Sequence, residues 1–359
     1  MSRRTVIVNG RFLGRSVTGV DRFAGEMLRA LAALRRDGAD AVPDLKVVVP
    51  PGTALPDWLA DTPVAECGRL RSHAWEQLEL ARFEPDSLLL NLCNSGPLLR
   101  RRQLVVIHDA ATFRVPEAYG RKFRTWYRMM IPRLYRRSEL VATVSDFSRR
   151  ELAVLFGARD DVVVLPEGAE HILRGTADEA TLDRHGLRRR PFVLAVSSLS
   201  PHKNFAVVVE ALARLDDPSF DVVIAGGQNP RVFGGGNALP PFVKYVGYVS
   251  DAQLQALYRH AACFVFPSVY EGFGLPPVEA MACGCPVLAA NAASIPEVCG
   301  DAALYFDPRD AGELARRLDG LLADPRGRAE RAAVGRKLSE NLTWENAARC
   351  LLRTMLPAL

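Results

Sequence analysis

The strongest fold signal in the chain is the stretch Phe266-Pro-Ser-Val-Tyr-Glu-Gly-Phe-Gly-Leu-Pro-Pro-Val-Glu-Ala-Met-Ala282. A buried strand is predicted to end at Phe266, a turn rich in glycine and proline follows, and a helix begins near Pro276-Pro277, where proline suits the first turn. Glu271 lies in the loop before this helix, and Glu279 is expected in its first turn. Open α/β sheets bind ligands at the carboxyl ends of their strands. Both glutamates are therefore expected at a ligand site.

The backbone of this loop also offers hydrogen-bond donors. Because proline has no N–H, the available amides are those of Phe273, Gly274, Leu275 and Val278. Glycine lets a ligand approach the backbone closely, and the start of a helix favours an anion. The loop therefore predicts phosphate-binding amides beside two carboxylates that accept hydrogen bonds from sugar hydroxyls. The structural alternative is a capped helix whose two glutamates face solvent.

The rest of the chain alternates short β-branched runs with longer helical patterns, which is typical of parallel sheets covered by helices. Two sets of strands are predicted, the first at 5–8, 46–49, 88–92, 104–107, 140–143 and 162–165, and the second at 192–196, 221–225, 245–246, 263–266 and 287–289. A polar, helix-poor stretch over 168–190 separates the two sets and is expected to be a linker. The predicted fold class is α/β, with two doubly wound domains in succession.

The composition is that of an ordinary soluble protein, since 48% of the 359 residues are hydrophobic and 24% are charged. No uncharged apolar run approaches the roughly 18 residues that a membrane-spanning helix needs. The apolar run near the start is too short for a signal-peptide core, so a cytoplasmic location is expected, free or held at a membrane surface. The seven scattered cysteines are expected to be reduced and mostly buried.

Several common cofactor motifs are absent from the sequence. No Gly-x-Gly-x-x-Gly follows a predicted strand, and there is no Walker-type Gly-x4-Gly-Lys-Ser/Thr. No His-x3-His or Asp-x-Asp pair suggests a divalent metal. The expectation is therefore a site that works without a metal ion and without a bound cofactor.

The segment Arg100–Arg137 has a strongly basic balance, with 11 Lys and Arg residues against 2 Asp and Glu residues. An anionic membrane surface, a phosphorylated substrate or a nucleic acid would suit such a segment, and so would a merely solvated surface. Nucleic acid is not expected as a partner, because the chain has no recognition-helix module or aromatic stacking surface. The apolar stripe of Trp126, Met130 and Leu134 in this segment fits either core packing or membrane contact.

With seven residues between Glu271 and Glu279, the opening stretch resembles the Glu-x7-Glu signature of the retaining glycosyltransferases of family 4, which have the two-domain GT-B fold. Further blocks resemble this family in the expected order along nearly the whole chain: Thr18–Phe23, Val105–Asp109, Thr143–Arg150, Ala195–Asn204, Val246–Asp251 and Trp344–Asn346. The resemblance implies an acceptor-binding Rossmann-like domain over 1–168 and a nucleotide-sugar-binding one over 186–340. It also implies a C-terminal helix within 341–359 that crosses back to the first domain.

The resemblance further implies roles for individual residues. Lys203 would pair with the phosphates of the donor, and Glu279 would accept hydrogen bonds from its ribose. Glu271 would hold the transferred sugar near its 3- and 4-hydroxyls, and His108 would position the donor sugar or the acceptor. Further donor contacts are expected from Gly19, Val20, Ser198, Tyr248, Phe273, Gly274 and Leu275.

Two positions depart from the family pattern. Ser198 stands where the family has an arginine that balances the leaving diphosphate, so Lys203, the loop amides and Arg231 are expected to carry that charge. Glu167-Gly168 replaces an Asn-Gly pair, so no role is carried over to Glu167.

Three of the singled-out residues also have an ordinary structural interpretation. Lys203 could be a surface lysine at a helix start, His108 could be a satisfied core histidine, and Gly19 could serve only a tight turn.

These observations predict a metal-independent, retaining glycosyltransferase that moves a hexose from a nucleoside-diphosphate sugar to a hydroxyl of a glycan or lipid-linked acceptor. The style of the His-Asp and Ser-Pro-His-Lys-Asn blocks resembles family members that use GDP-mannose or a GDP-deoxyhexose. The alternative is a non-catalytic sugar-nucleotide-binding protein of the same fold, which would bind the donor without transferring or hydrolysing it.

Overall fold

The computed structural model describes residues 5–15, 17–38, 42–196, 200–215, 219–226 and 242–359. The chain divides into two compact units. The first comprises Met1–Glu167 together with Trp344–Leu359, and the second comprises Gly168–Thr343.

The first unit is built on a parallel sheet. Its strands within the described residues are β1 (Thr5–Asn9), β2 (Asp44–Val49), β3 (Val64–Glu66), β4 (Leu88–Asn91), β5 (Gln103–Val106), β6 (Leu140–Thr143) and β7 (Val162–Val164). They pair in the order β3-β2-β1-β4-β5-β6-β7, all in parallel. All four residues of β4 are buried, as are all four of β5, because helices cover both faces of such a sheet.

Helices of the first unit follow the strands in sequence. They are α1 (Gly19–Arg36), α2 (Ser72–Leu78), α3 (Ala111–Arg114), α4 (Arg121–Arg137) and α5 (Asp146–Phe156). The predicted cap of α5 is confirmed, since Ser145 Oγ accepts a hydrogen bond from the Ser148 N–H at 3.0 Å. At the start of α1, Asp21 accepts a hydrogen bond from the Thr18 N–H at 3.0 Å.

The apolar stripe of α4 packs into the core. Met130 and Leu134 are buried in one hydrophobic cluster with β5 and α5 residues, and Trp126 packs against that cluster. Core packing is therefore the correct one of the two predicted alternatives, and the stripe is not a membrane-facing surface. The exposed side of α4 is basic and carries Arg121, Lys122, Arg128, Arg133, Arg136 and Arg137.

The last helix, α13 (Trp344–Met355), belongs to the first unit, as predicted for the end of the chain. It packs along α1. Trp344 is 1% exposed, and its ring lies 5.7 Å from the Phe23 ring in an edge-on arrangement. Burial of these two large aromatic side chains secures the helix to the unit.

The second unit is built on another parallel sheet. Its strands within the described residues are β8 (Phe192–Val196), β9 (Asp221–Ala225), β10 (Val243–Gly247), β11 (Cys263–Phe266), β12 (Val287–Ala290) and β13 (Ala303–Phe306). They pair in the order β10-β9-β8-β11-β12-β13, again in parallel. The helices are α6 (Ala180–Arg184), α7 (Phe205–Leu212), α8 (Asp251–His260), α9 (Leu275–Ala282), α10 (Ile295–Cys299), α11 (Ala311–Ala323) and α12 (Pro325–Ser339).

Two parallel sheets confirm the predicted fold class. The strands β3 and β13, each at a sheet edge, were not predicted, because their short runs have no alternation of apolar and polar residues. Residues 168–190, expected as a linker, are part of the second unit: they contain α6, and His171 and Ile172 are buried. None of the seven cysteines forms a disulfide; Cys93, Cys263, Cys285 and Cys299 are buried, and Cys67, Cys283 and Cys350 are partly exposed.

Candidate active site

Lys203 and Glu271 meet at the switch point of the second sheet. From β8 the chain proceeds to β9 and β10 on one side, and β11 and the later strands lie on the other. Lys203 ends a 3-10 turn after β8, and Glu271 follows β11. The Lys203 Nζ lies 2.5 Å from Glu271 Oε1, with side chains 22% and 14% exposed. The structure thus brings together two predicted site residues that are 68 positions apart, at the place where open α/β sheets bind ligands.

The loop after Glu271 is held in a defined shape. Ser294 Oγ lies 3.0 Å from the Glu271 carbonyl oxygen and 2.9 Å from that of Phe273. Gly274 has φ +100°, a conformation that favours glycine, and directly precedes α9. Within the described part of the chain, the N–H groups of Phe273, Gly274 and Leu275 have no hydrogen-bond acceptor. These amides are able to donate to a ligand.

Glu279 has different partners from Glu271. It is the fifth residue of α9 and so lies in the second turn, not in the first turn as predicted, because the helix begins at Leu275 before its two prolines. Its side chain is 9% exposed. His171 Nε2 lies 2.8 Å from Glu279 Oε1, and the Tyr258 hydroxyl donates to Oε2 at 3.3 Å. The structural alternative, a solvent-facing glutamate, is therefore wrong at this position.

The two partners of Glu279, His171 and Tyr258, were not predicted from the sequence. His171 lies three residues beyond Gly168, in a segment expected as a linker, and no motif marked it. Burial and the nearby negative charge of Glu279 raise the pKa of Tyr258 well above its usual value, so its hydroxyl remains a donor. Since each carboxylate oxygen has two lone pairs, Glu279 retains capacity for further hydrogen bonds.

His108 follows β5 in the first unit and is 3% exposed. Its Nε2 lies 2.8 Å from the Leu92 carbonyl oxygen, and its Nδ1 lies 3.6 Å from Glu167 Oε1. A carbonyl only accepts, so Nε2 carries a hydrogen. The Phe23 ring packs edge-on against the imidazole at 4.6 Å. Glu167, to which no role was assigned, is therefore a neighbour of His108, and both ring nitrogens face protein groups.

The remaining predicted donor contacts have varied surroundings. Gly19 is exposed at the start of α1, and an added Cβ would meet no atom within 4 Å. The Val20 carbonyl oxygen accepts a hydrogen bond from Cys93 Sγ at 3.3 Å. Tyr248 is 85% exposed after β10. Ser198 and Arg231 lie outside the described residues.

The described residues hold no group of three or more His, Cys, Asp or Glu side chains arranged to bind a metal ion. In the same part of the chain, no helix combines the length and the apolar character needed to cross a membrane.

Comparison with known proteins relates the sequence of the chain to glycosyltransferases. The family model for glycosyl transferases group 1 matches residues 179–338. O-antigen chain mannosyltransferase B of Escherichia coli is 31% identical over 257 residues, which cover 68% of this chain and 68% of that protein. O-antigen chain mannosyltransferase RfbU of Salmonella typhimurium is 26% identical over 325 residues, covering 85% of this chain and 87% of that protein.

A solved structure shares the fold at low sequence identity. The sucrose-phosphate synthase of Thermosynechococcus elongatus superposes with a TM-score of 0.75 and 19% identity, covering 99% of this chain and 100% of that one. The predicted fold of two Rossmann-like domains is therefore confirmed.

Proposed function

Because the chain belongs to the group 1 glycosyltransferases, we propose that it is a retaining hexosyltransferase that uses a nucleoside-diphosphate sugar. The acceptor is a hydroxyl of a glycan or lipid-linked sugar. Mannose is the favoured sugar, since both relatives described above are named mannosyltransferases. GDP-mannose is the favoured donor, with a GDP-deoxyhexose as the next choice.

The observation that carries this proposal is the ion pair of Lys203 and Glu271 at the switch point. A diphosphate entering this place would compete for the Lys203 ammonium. Glu271 would then be free to accept hydrogen bonds from the hydroxyls of the sugar attached to that diphosphate. The pair of Lys203 and Glu271 thus contacts both the diphosphate and the sugar of the donor substrate. The nearby N–H groups of Phe273, Gly274 and Leu275 add hydrogen bonds to the substrate without any rearrangement of the loop.

The chemical step breaks the bond between the anomeric carbon and the phosphate oxygen and forms a bond to the acceptor oxygen on the same face. The departing phosphate oxygen takes the acceptor proton. Lys203 and the loop amides stabilise the negative charge that grows on the diphosphate, and Glu271 lies beside the positive charge that grows on the sugar. No covalent nucleophile and no metal ion are part of this scheme.

Glu279 is proposed to bind the ribose of the donor. His171 and Tyr258 hold its carboxylate from two sides, which fixes the direction of the remaining lone pairs. Ordered placement of this kind lowers the entropy lost when the ribose hydroxyls bind. His171 and Tyr258 are therefore positioning residues for the donor.

The other assignments are part of the same proposal. Tyr248 contacts the nucleotide base of the donor. Gly19 and Val20 contact the donor through their own backbone atoms, and Ser198 contacts the phosphates of the donor. His108 positions the donor sugar or the acceptor. Its present contacts with Leu92 and Glu167 fix the orientation of the ring.

A thermal-shift screen of nucleotide sugars tests the proposal. A ligand at about 100 times its Kd adds about 2.7 kcal/mol of stability, so a true donor should raise the Tm clearly. GDP-mannose should raise it more than UDP-glucose, and slow hydrolysis of the same donor should follow without acceptor. A protein that binds a donor but neither transfers nor hydrolyses it would instead be a non-catalytic binding protein.

The exposed basic side of α4 is proposed to hold the protein peripherally at the inner face of the cytoplasmic membrane, where lipid-linked acceptors lie. Co-sedimentation with anionic vesicles should fall steeply as salt increases, because surface charge is screened within about 10 Å at 0.1 M ionic strength. Equal recovery with neutral and anionic vesicles would contradict this part of the proposal.

A further inference from the structure

The first sheet has a switch point of its own, between β1 and β4, and polar side chains fill it. From β1 the chain proceeds to β2 and β3 on one side and returns at β4 on the other. Glu76 of α2 joins the two strand ends. Its Oε1 accepts hydrogen bonds from Asn9 Nδ2, at the end of β1, at 2.7 Å and from Ser95 Oγ, just after β4, at 2.9 Å. A ligand crevice is expected at this position of an open α/β sheet.

Glu76 is ionised although its side chain is fully buried. Burial by itself raises the pKa of a carboxyl group, but the hydrogen bond from His73, the charge of Arg11 and the hydrogen bond from Asn9 outweigh it. The pKa of Glu76 therefore lies below its usual value. The Arg11 Nε lies 3.2 Å from Glu76 Oε1. An ionised carboxylate accepts hydrogen bonds and donates none.

The consequence for His73 is a fixed tautomer. Its Nδ1 lies 3.2 Å from Glu76 Oε2, and because this oxygen only accepts, Nδ1 must carry the hydrogen. In the neutral imidazole the lone pair is then at Nε2. The His73 side chain is 28% exposed, and among the described residues no group is paired with its Nε2. A buried carboxylate thus orients an accessible hydrogen-bond acceptor.

A row of aromatic rings extends from His73 over the first turns of α4 and the residues just before it. The imidazole lies 5.4 Å from the Trp126 ring and 5.8 Å from the Tyr127 ring. Phe123 stacks on Tyr127 at 4.0 Å, and Tyr119 stacks on Phe123 at 5.4 Å. Phe123 is 43% exposed. Flat apolar rings beside a hydrogen-bond acceptor suit a sugar, which has both a C–H face and hydroxyl groups.

The two arginines nearest the buried carboxylate are paired locally, whereas Arg121, Lys122 and Arg128 lie exposed on α4, the helix that carries Phe123. Arg11 pairs with Glu76, and Arg15 pairs with Asp21 at 2.5 Å. Neither guanidinium is left as an uncompensated cation for an anion.

We propose that His73 and the rings of Phe123 and Trp126 form the subsite for the sugar of the acceptor, with His73 Nε2 accepting a hydrogen bond from one of its hydroxyls. Glu76 acts through His73 and is a positioning residue. This inference rests on the proposed function, since it supplies the acceptor that the transfer reaction requires.

Saturation-transfer NMR on the full chain tests the subsite, with the methyl glycosides of mannose, galactose and N-acetylglucosamine as probes. At least one glycoside should bind the unmodified protein, and His73→Gln and Phe123→Ala should each weaken that binding at least tenfold. Two matched controls should leave it unchanged: His260→Gln, a surface histidine paired with Glu179, and Val154→Ala, a side chain 75% exposed on α5.

A stability measurement separates ligand contact from a merely structural role. The His73→Gln variant should lose glycoside binding while keeping the Tm of the unmodified protein, because a glutamine amide can also donate a hydrogen bond to Glu76. A loss of binding that is accompanied by a clear fall in Tm would instead assign His73 a structural role.

Absence of glycoside binding, or binding that survives His73→Gln, would overturn the subsite. So would displacement by inorganic phosphate, which would indicate an anion site. Measuring donor hydrolysis in the absence of acceptor distinguishes failure of the subsite from failure of the proposed function. A protein that hydrolyses donor but binds no glycoside retains the proposed function, whereas one that binds glycosides through His73 but no nucleoside diphosphate loses only that function.

Discussion

At the switch point of the second sheet, Lys203 and Glu271 are 22% and 14% exposed and pair with each other at 2.5 Å. At the switch point of the first sheet, Glu76 is 0% exposed and is bonded by residues from two strand ends. Both places combine a carboxylate with a cation at the carboxyl edge of a parallel sheet. They differ in burial and in the number of bonds that hold the carboxylate.

The difference indicates two uses of similar chemistry. A partly exposed pair can exchange partners, which suits a charged substrate that enters and leaves. A buried carboxylate with several hydrogen bonds cannot exchange without a large loss, so it orients a neighbouring group instead. The site of the second sheet thus suits a charged substrate that binds and leaves, and the site of the first sheet suits a hydrogen-bond acceptor in a fixed orientation.

The largest expected effect follows from removing the negative charge of the buried Glu76 carboxylate. Glu76→Gln keeps the shape but leaves Arg11 without its counter-charge, which should reduce the free energy of unfolding by about 3–5 kcal/mol near neutral pH. The pKa of Glu76 is lowered in the folded state, so its contribution is present above the usual value of 4.5 and is lost as the pH falls below it. Denaturant titrations of both proteins across this range should converge at acid pH. A constant difference at all pH values would contradict the assignment.

The next effect concerns turnover. Glu271→Gln removes a charge beside the reacting carbon and should lower turnover at saturating donor about 100- to 1,000-fold. Binding of the bare nucleoside diphosphate should not weaken, because Lys203 remains available and no longer pairs with a carboxylate. Saturation kinetics beside calorimetry measure both quantities, and Glu345→Gln, an exposed glutamate on α13, is the control.

For Glu279 a smaller effect is expected, and it should fall on binding and not on turnover. Glu279→Gln should weaken donor and bare nucleoside diphosphate alike by about 1.5–3 kcal/mol, while turnover at saturating donor persists, since uniform binding is removed. Tyr258→Phe should act in the same direction with a smaller effect. If Glu271→Gln weakens the bare diphosphate as much as Glu279→Gln does, the two roles are assigned wrongly.

The smallest expected effect is that of metal removal. Excess EDTA should leave transfer or donor hydrolysis within about twofold, because Lys203 and the loop amides supply the charge that faces the diphosphate. Complete loss of activity, restored by magnesium or manganese, would refute the metal-free scheme.

Much of the second unit could be predicted because its signals are local. The strands β8, β9 and β11 match their predicted bounds, and Gly274 adopts the positive φ that its place before α9 requires. Strand 303–306 was missed because a four-residue apolar run has no alternation that distinguishes a strand from a buried helix segment. The linker prediction for 168–190 failed because a polar segment can still contribute buried side chains to a core, here those of His171, Ile172, Leu182 and Leu187.

By itself the sequence determined the alternation of strands and helices, and with it two parallel sheets, since hydrophobic periodicity is a property of neighbouring residues. It also placed Lys203, Glu271 and Glu279 near strand ends. Only the tertiary structure decided which side chains meet: Lys203 with Glu271, Glu279 with His171, and Glu76 with His73 and Arg11. The physical reason is that strand order is set by packing of whole layers, and it brings together side chains whose separation along the chain carries no local signal.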